Sequence, residues 1–196
     1  MDDNAVALRR VKVNMLMWWL PHFRAPIFRQ LSQNPHIDFT VCTGDNSRVY
    51  GGESVSSASE VGNIEGINWH KLSARRLKGP LFRDFEWQPG AIKIAWNDDY
   101  DVQIIHGVQS LSNWLVRAIC RLRGIPLIEW SHGITRPEGR LKWVVKKAYM
   151  KLANAYLFYG NFARDFFASH GFKDEELFVV YNSLDHDKQV AIREQI

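Results

Sequence analysis

Short apolar runs closed by turn residues alternate along this chain with stretches whose apolar positions fall three and four apart. Residues 11–19 are the first such run, apolar on both faces from Met15 onward, the pattern of a strand inside a parallel sheet. Pro26 suits the first turn of a helix, and Ile27, Phe28 and Leu31 follow at helical spacing until Asn34-Pro35 stops them. A second strand over 37–43 sets Ile37, Phe39 and Val41 against Asp38 and Thr40. Residues 44–66 then turn small and polar and can bury little. Such a length reads as a plain surface loop or as a lid or acceptor-side flap.

Residues 67–73 predict a third strand. Arg75, Arg76, Lys78 and Arg83 gather around Gly79-Pro80 in a basic turn, either a solvated face or a binding patch. A helix over 90–97 leads into a strand from 101 that ends in His106-Gly107. After the helical stretch 110–123, Pro126 opens another strand, because it lacks an N–H and cannot sit in a strand's middle. Leu127, Ile128 and Trp130 carry that strand to a second polar crest, Ser131-His132-Gly133. Residues 139–150 predict an amphipathic helix. Leu141, Val144, Val145, Ala148 and Leu152 make a stripe for the core, and Lys142, Lys146, Lys147 and Lys151 make the opposite one. That lysine face is either the solvent side of a core-packed helix or a seat on an anionic membrane. Residues 155–159 give the next strand. Asn161 is placed to cap a helix running to His170, Gly171 closes it in a left-handed position, and 177–181 give the last strand.

Strands alternating with helices, without hairpin signals between them, predict an α/β fold: an open doubly wound, mostly parallel sheet in a Rossmann-like three-layer sandwich. Residues 11–182 form the single domain, 1–10 a frayed N-terminus, and 183–196 the start of an interdomain linker. In open α/β sheets ligands bind outside the carboxyl ends of the strands, so His106 and His132 stand on the functional rim. Each reads either as a hydrogen-bonded loop residue or as a ligand-facing one. With the first and fourth strands as neighbours, the crevice lies between the loop 21–26 and His106, and His132 is one strand further out.

Composition narrows this picture only a little. The 196 residues suffice for one sizeable core, and a net charge of +4 favours an anionic partner without naming it. Cys42 and Cys120, far apart and in apolar surroundings, indicate neither a disulfide framework nor a thiolate metal site, and point to a reducing compartment. No stretch approaches the roughly 20 apolar residues that span a bilayer, so a cytoplasmic location is expected, peripheral at the inner face of the membrane if the lysine face binds lipid.

Several chemistries are excluded by what is missing. No glycine-rich dinucleotide fingerprint follows the first strand, and no phosphate-binding loop ends in Gly-Lys-Ser/Thr. No nucleophile elbow is present, and Ser131 and His132, adjacent on a strand, point to opposite faces. Asp98, Asp99 and Asp101 precede a strand at the end away from the rim, and read as turn caps rather than metal ligands. Asp185, His186 and Asp187 crowd together without a second ligand cluster.

Four motifs in order carry a resemblance over nearly the whole chain. They are Pro21-His22-Phe23-Arg24-x-Pro26-x-Phe28-x-x-Leu31, Trp130-Ser131-His132-Gly133, Tyr159-Gly160 before a helix, and Val179-Val180-Tyr181-Asn182-Ser183-Leu184-Asp185. Together the chain resembles the N-terminal, acceptor-side half of a retaining family 4 glycosyltransferase with the B-type, two-Rossmann architecture.

The resemblance implies a nucleotide-sugar as donor substrate, a glycan or lipid-linked acceptor, and no metal, cofactor or nucleic acid. It implies that His132 is the catalytic residue, reaching into the interdomain cleft to contact the transferred sugar, and that Pro21, His22, Phe23 and Arg24 frame the acceptor. His106, Gly107, Ser131 and Gly133 stand on the same rim as further substrate-binding candidates. The loop 21–24 lacks the Gly-Gly pair that family members often carry, so Arg24 is the residue left to pair with an anionic acceptor or phosphate. The family's donor signature, two glutamates eight positions apart in the second domain, has no counterpart here. Half an enzyme is therefore expected, inactive without a C-terminal donor-binding domain or partner chain. The alternative is a non-catalytic glycan- or anion-binding module of the same fold.

Overall fold

The computed structural model describes residues 9–18, 24–44, 66–77, 85–107, 110–135, 139–181, 190 and 193–194. Outside the described residues lie 1–8, Pro21, His22 and Phe23, the bulk of the 44–66 loop, Lys78, Gly79, Pro80 and Arg83 of the basic turn, and 182–189 with their Asp-His-Asp cluster. In chain order the elements are β1 (Val11–Met17), α1 (Ala25–Gln33), β2 (Ile37–Gly44), β3 (Asn68–Leu72), β4 (Arg75–Leu77), β5 (Phe85–Trp87) and α2 (Pro89–Asn97). They continue with β6 (Val102–His106), α3 (Leu111–Arg123), β7 (Leu127–Ser131), α4 (Arg140–Met150), β8 (Ala155–Phe158), α5 (Asn161–Ser169) and β9 (Leu177–Val179).

Seven strands form one sheet in the order β3-β2-β1-β6-β7-β8-β9, every neighbouring pair parallel. The order reverses at β1, which lies between β2 and β6, so the predicted neighbourhood of the first and fourth strands holds. Successive residues of a strand point to opposite faces, and β1 feeds two separate cores accordingly. Met15 and Met17 pack with Phe28 of α1, Phe39, Val41 and Trp130 on one face. Leu16 joins Cys42, Ile105, Leu127, Tyr156 and Phe158, which α2, α3, α4 and α5 cover on the other. The chain is thus a Rossmann-like three-layer sandwich.

Polar residues inside the sheet are satisfied across strands. Asn14 of β1 donates from Nδ2 to Gln103 Oε1 of β6 at 2.7 Å, and Cys42 Sγ donates to Asn14 Oδ1 at 3.2 Å. Both cysteines are buried and free. The aspartates before β6 bond across to β1: Asp101 accepts from the Lys12 amide at 2.8 Å, and Asp99 pairs with Lys12 Nζ at 3.0 Å.

Three local expectations need correction. The expected lack of hairpins does not hold throughout, because β4, which carries Arg75 and Arg76, pairs antiparallel with β5 in a small ribbon. Asn161 does not cap its helix. Gly160 holds the cap position, extended and without a side chain to contribute, and Asn161 is the first helical residue. In α4 the stripe meant for the core faces outward: Leu141, Val144, Val145 and Ala148 are exposed, while Tyr149 and Met150 are buried. Aromatic packing decides that orientation, since Trp143 seats against Phe166, Phe167 and His170 with ring centroids at 5.0, 5.7 and 5.0 Å.

Candidate functional site at the carboxyl rim

The registers Met17 against His106, His106 against Trp130, and Ser131 against Phe158 bring the ends of β1, β6, β7 and β8 to one rim. There Tyr159, the residue after β8, joins three predicted site residues. Arg24, at the entrance to α1, donates from its guanidinium to the Tyr159 hydroxyl. His106 Nε2 lies 2.6 Å from the same hydroxyl. The His132 ring stacks at a tilt over the Tyr159 ring, centroids 4.5 Å apart. Trp130 closes the group from below, edge-on to His106 at 5.7 Å and 4.8 Å beneath the Arg24 guanidinium.

Electrostatics fix the protonation states. Burial, the Arg24 charge and His132 together push the His106 imidazole down to about 3, so it is neutral at physiological pH. His132 is lowered in the same sense, by partial burial and by Arg24. Burial raises the Tyr159 phenol, with Arg24 opposing. Because Arg24 already donates to the phenol oxygen, the phenol proton is available to the lone pair of His106, an Arg-to-Tyr-to-His chain of donors.

Glycine at 133 is what lets His132 stand where it does. Its φ is +63°, and a Cβ there would come within 2.8 Å of the Phe158 ring and 3.1 Å of the Ala163 Cβ. The crest therefore turns over the end of β8 and the first turn of α5 with no room for a side chain. Ser131, the last residue of β7, turns towards Glu129, two positions back on the same face of the strand. Its hydroxyl bonds the Glu129 carboxylate, and its Oγ accepts from the Gly133 amide at 3.2 Å.

On the Ser131 side a cavity of about 270 Å³ opens, reached by His106, Gly107, Ser131, His132 and Gly133 from the rim, by Glu129 from β7, and by Lys146 and Met150 from α4. Glu129 is ion-paired with Arg117 of α3, and both are almost wholly buried. The Arg117 guanidinium lies 3.7 Å over the Tyr149 ring. Burial raises the Glu129 carboxyl against the pull of Arg117. A second cavity of about 260 Å³ lies at the amino ends of the strands, among Lys12, Asn14, Asp38, His70, Asp98 and Asp99. Among the described residues no group of acids, histidines and cysteines is arranged to hold a metal ion, and no helix is long and apolar enough to cross a membrane.

Of the predicted site residues, Arg24, His106, Gly107, Ser131, His132 and Gly133 converge within this one region, while Pro21, His22 and Phe23 lie outside the described residues. Tyr159, Trp130, Glu129 and Lys146 had no place in the predicted site. For Glu129 a signal existed: an acid within the apolar run Leu127-Ile128-Glu129-Trp130 must be buried, and a buried charge needs a partner.

Solved structures share this fold at low sequence identity. The UDP-GlcNAc 2-epimerase from Neisseria meningitidis, bound to UDP-GlcNAc, superposes with a TM-score of 0.62 at 13% identity, over 94% of this chain and 50% of its own. Anabaena HepE in complex with UDP-glucose gives 0.55 at 14%, over 95% and 50%. The lipopolysaccharide outer core galactosyltransferase WaaB, in its apo form, gives 0.54 at 12%, over 88% and 46%. This chain thus spans about half the length of each. No curated protein matches its sequence. The model of Glycosyltransferase Family 4 matches residues 27–188, most of the chain, and the protein belongs to that family.

Proposed function

We propose that this chain is the acceptor-side domain of a cytoplasmic glycosyltransferase that moves a sugar, with retention, from a nucleotide-sugar to a glycan or lipid-linked acceptor. The observation that carries the reading is His132, held exposed at the mouth of a cavity on the carboxyl rim beside a left-handed glycine whose Cβ would collide with Phe158. A rim of this kind is where open α/β sheets bind ligands. The epimerase and HepE, solved with UDP-GlcNAc and UDP-glucose, support a nucleotide-sugar as donor. Donor binding falls to a second Rossmann domain or a partner chain.

In this reading the neutral His132 imidazole bonds a hydroxyl of the transferred sugar. The acceptor occupies the cavity against Ser131, Gly133, His106 and Gly107. Arg24 tightens the Tyr159 platform and lends positive potential to the rim. The acceptor hydroxyl attacks the anomeric carbon on the face the leaving diphosphate vacates. As the carbon–phosphate-oxygen bond breaks, that diphosphate takes the acceptor proton, so no protein carboxylate acts as base and no metal is required.

The test is turnover of this domain together with its donor-binding half. His132→Ala lowers kcat by about a hundredfold or more while acceptor affinity changes little, because the contact tightens in the transition state. Undiminished transfer by that variant rejects the role. Tight acceptor binding with no transfer, even with the donor half present, favours the non-catalytic module.

A further inference from the structure

Helix α4 presents to solvent the stripe that its sequence pattern suits to a core. Leu141 is 80% exposed, Val144 61% and Val145 49%, with Ala148 exposed between them. On an ideal helix these four residues span about 100° of the circumference, a continuous ridge. The same helix and the residue after it carry Arg140, Lys142, Lys146, Lys147 and Lys151, and residues 139–152 contain no acid. Lys151 is pinned, donating to the Gly171 carbonyl at 2.7 Å and lying 4.1 Å over the Phe172 ring. Arg140 and Lys147 belong to the edge of the ridge that Lys151 extends.

We propose that this outward face of α4 docks on an anionic lipid surface, the ridge entering the headgroup boundary and the flanking cations meeting lipid phosphates. Charge complementarity selects this occupant. A second copy of the chain would bring the same cations face to face in a two-fold contact. A convex single-helix ridge edged by cations is the form that lies in a membrane interface. The docking does not depend on the transfer reading. If both hold, Lys146 and Met150 of the same helix line the His132 cavity, so the cavity opens about one helix diameter, 10–12 Å, from the headgroups.

The experiment is flotation of the full chain with vesicles of phosphatidylcholine alone and of phosphatidylcholine mixed with phosphatidylglycerol. The chain floats with the mixed vesicles and is released by high salt. Val144→Asp with Val145→Asp weakens association about tenfold or more. Arg140→Gln and Lys147→Gln each weaken it about fivefold. Leu122→Ser, at an exposed leucine of α3, leaves it unchanged. The proposal is overturned if the chain ignores anionic vesicles, if it binds both kinds equally, if the α4 variants float like the parent, or if Val144→Asp dissociates a dimer of the free chain.

Discussion

The Tyr159 hydroxyl stands 2.6 Å from His106 Nε2 while also accepting from Arg24, so one phenol ties the end of β6 to the entrance of α1. With the phenol donating, Nε2 accepts as a neutral imidazole, and the burial that holds the ring neutral makes folding stability depend on pH. An unfolded histidine takes a proton near 6.5, whereas His106 in the fold takes one only at about 3. Between those values the unfolded chain binds more protons, so stability is full above 6.5 and falls as pH drops towards 3, by up to about 1.4 kcal/mol per pH unit. Urea unfolding at stepped pH values checks this. His106→Asn loses that share of the slope, and an unaltered slope would refute the assignment.

Tyr159→Phe keeps the ring beneath His132 and removes the hydroxyl. Arg24 and His106 then each lose a half-buried partner, at an expected cost of about 2 kcal/mol measured by denaturant unfolding. A variant as stable as the parent would mean that the phenol is not the hub of the rim.

Gly133→Ala meets both a left-handed backbone and a filled space. Strain at φ +63° adds to the collision with Phe158 and Ala163, and the expected loss is about 2–4 kcal/mol. A crystal structure of the variant should show the His132 crest displaced; an undisturbed crest at parental stability contradicts the packing argument.

Glu129→Gln leaves the Arg117 guanidinium buried without its countercharge, and should cost about 3–5 kcal/mol. Replacing both, Arg117→Met with Glu129→Gln, should recover part of that loss, because the desolvation penalty of the cation disappears with it. A double-mutant cycle in urea reads the coupling directly. Simple additivity would show that the two groups do not act as a pair.

The sequence by itself determined the sheet. Runs such as 15–17 and 127–130 suit a sheet covered on both faces, and the helical spacings between strands call for the crossovers that make it parallel. It also put His106 and His132 on one rim, since strand ends and chain direction follow from the same pattern. Tertiary structure alone decided which neighbours those side chains meet. Tyr159 is 53 residues from His106 and 135 from Arg24, and their meeting depends on strand order and register, which local periodicity does not encode. The facing of α4 was decided in the same way. Its valines and leucine satisfy the amphipathic rule, but Trp143, Tyr149 and Met150 find larger apolar partners across the helix, and burying the larger rings releases more surface from water than burying the smaller stripe.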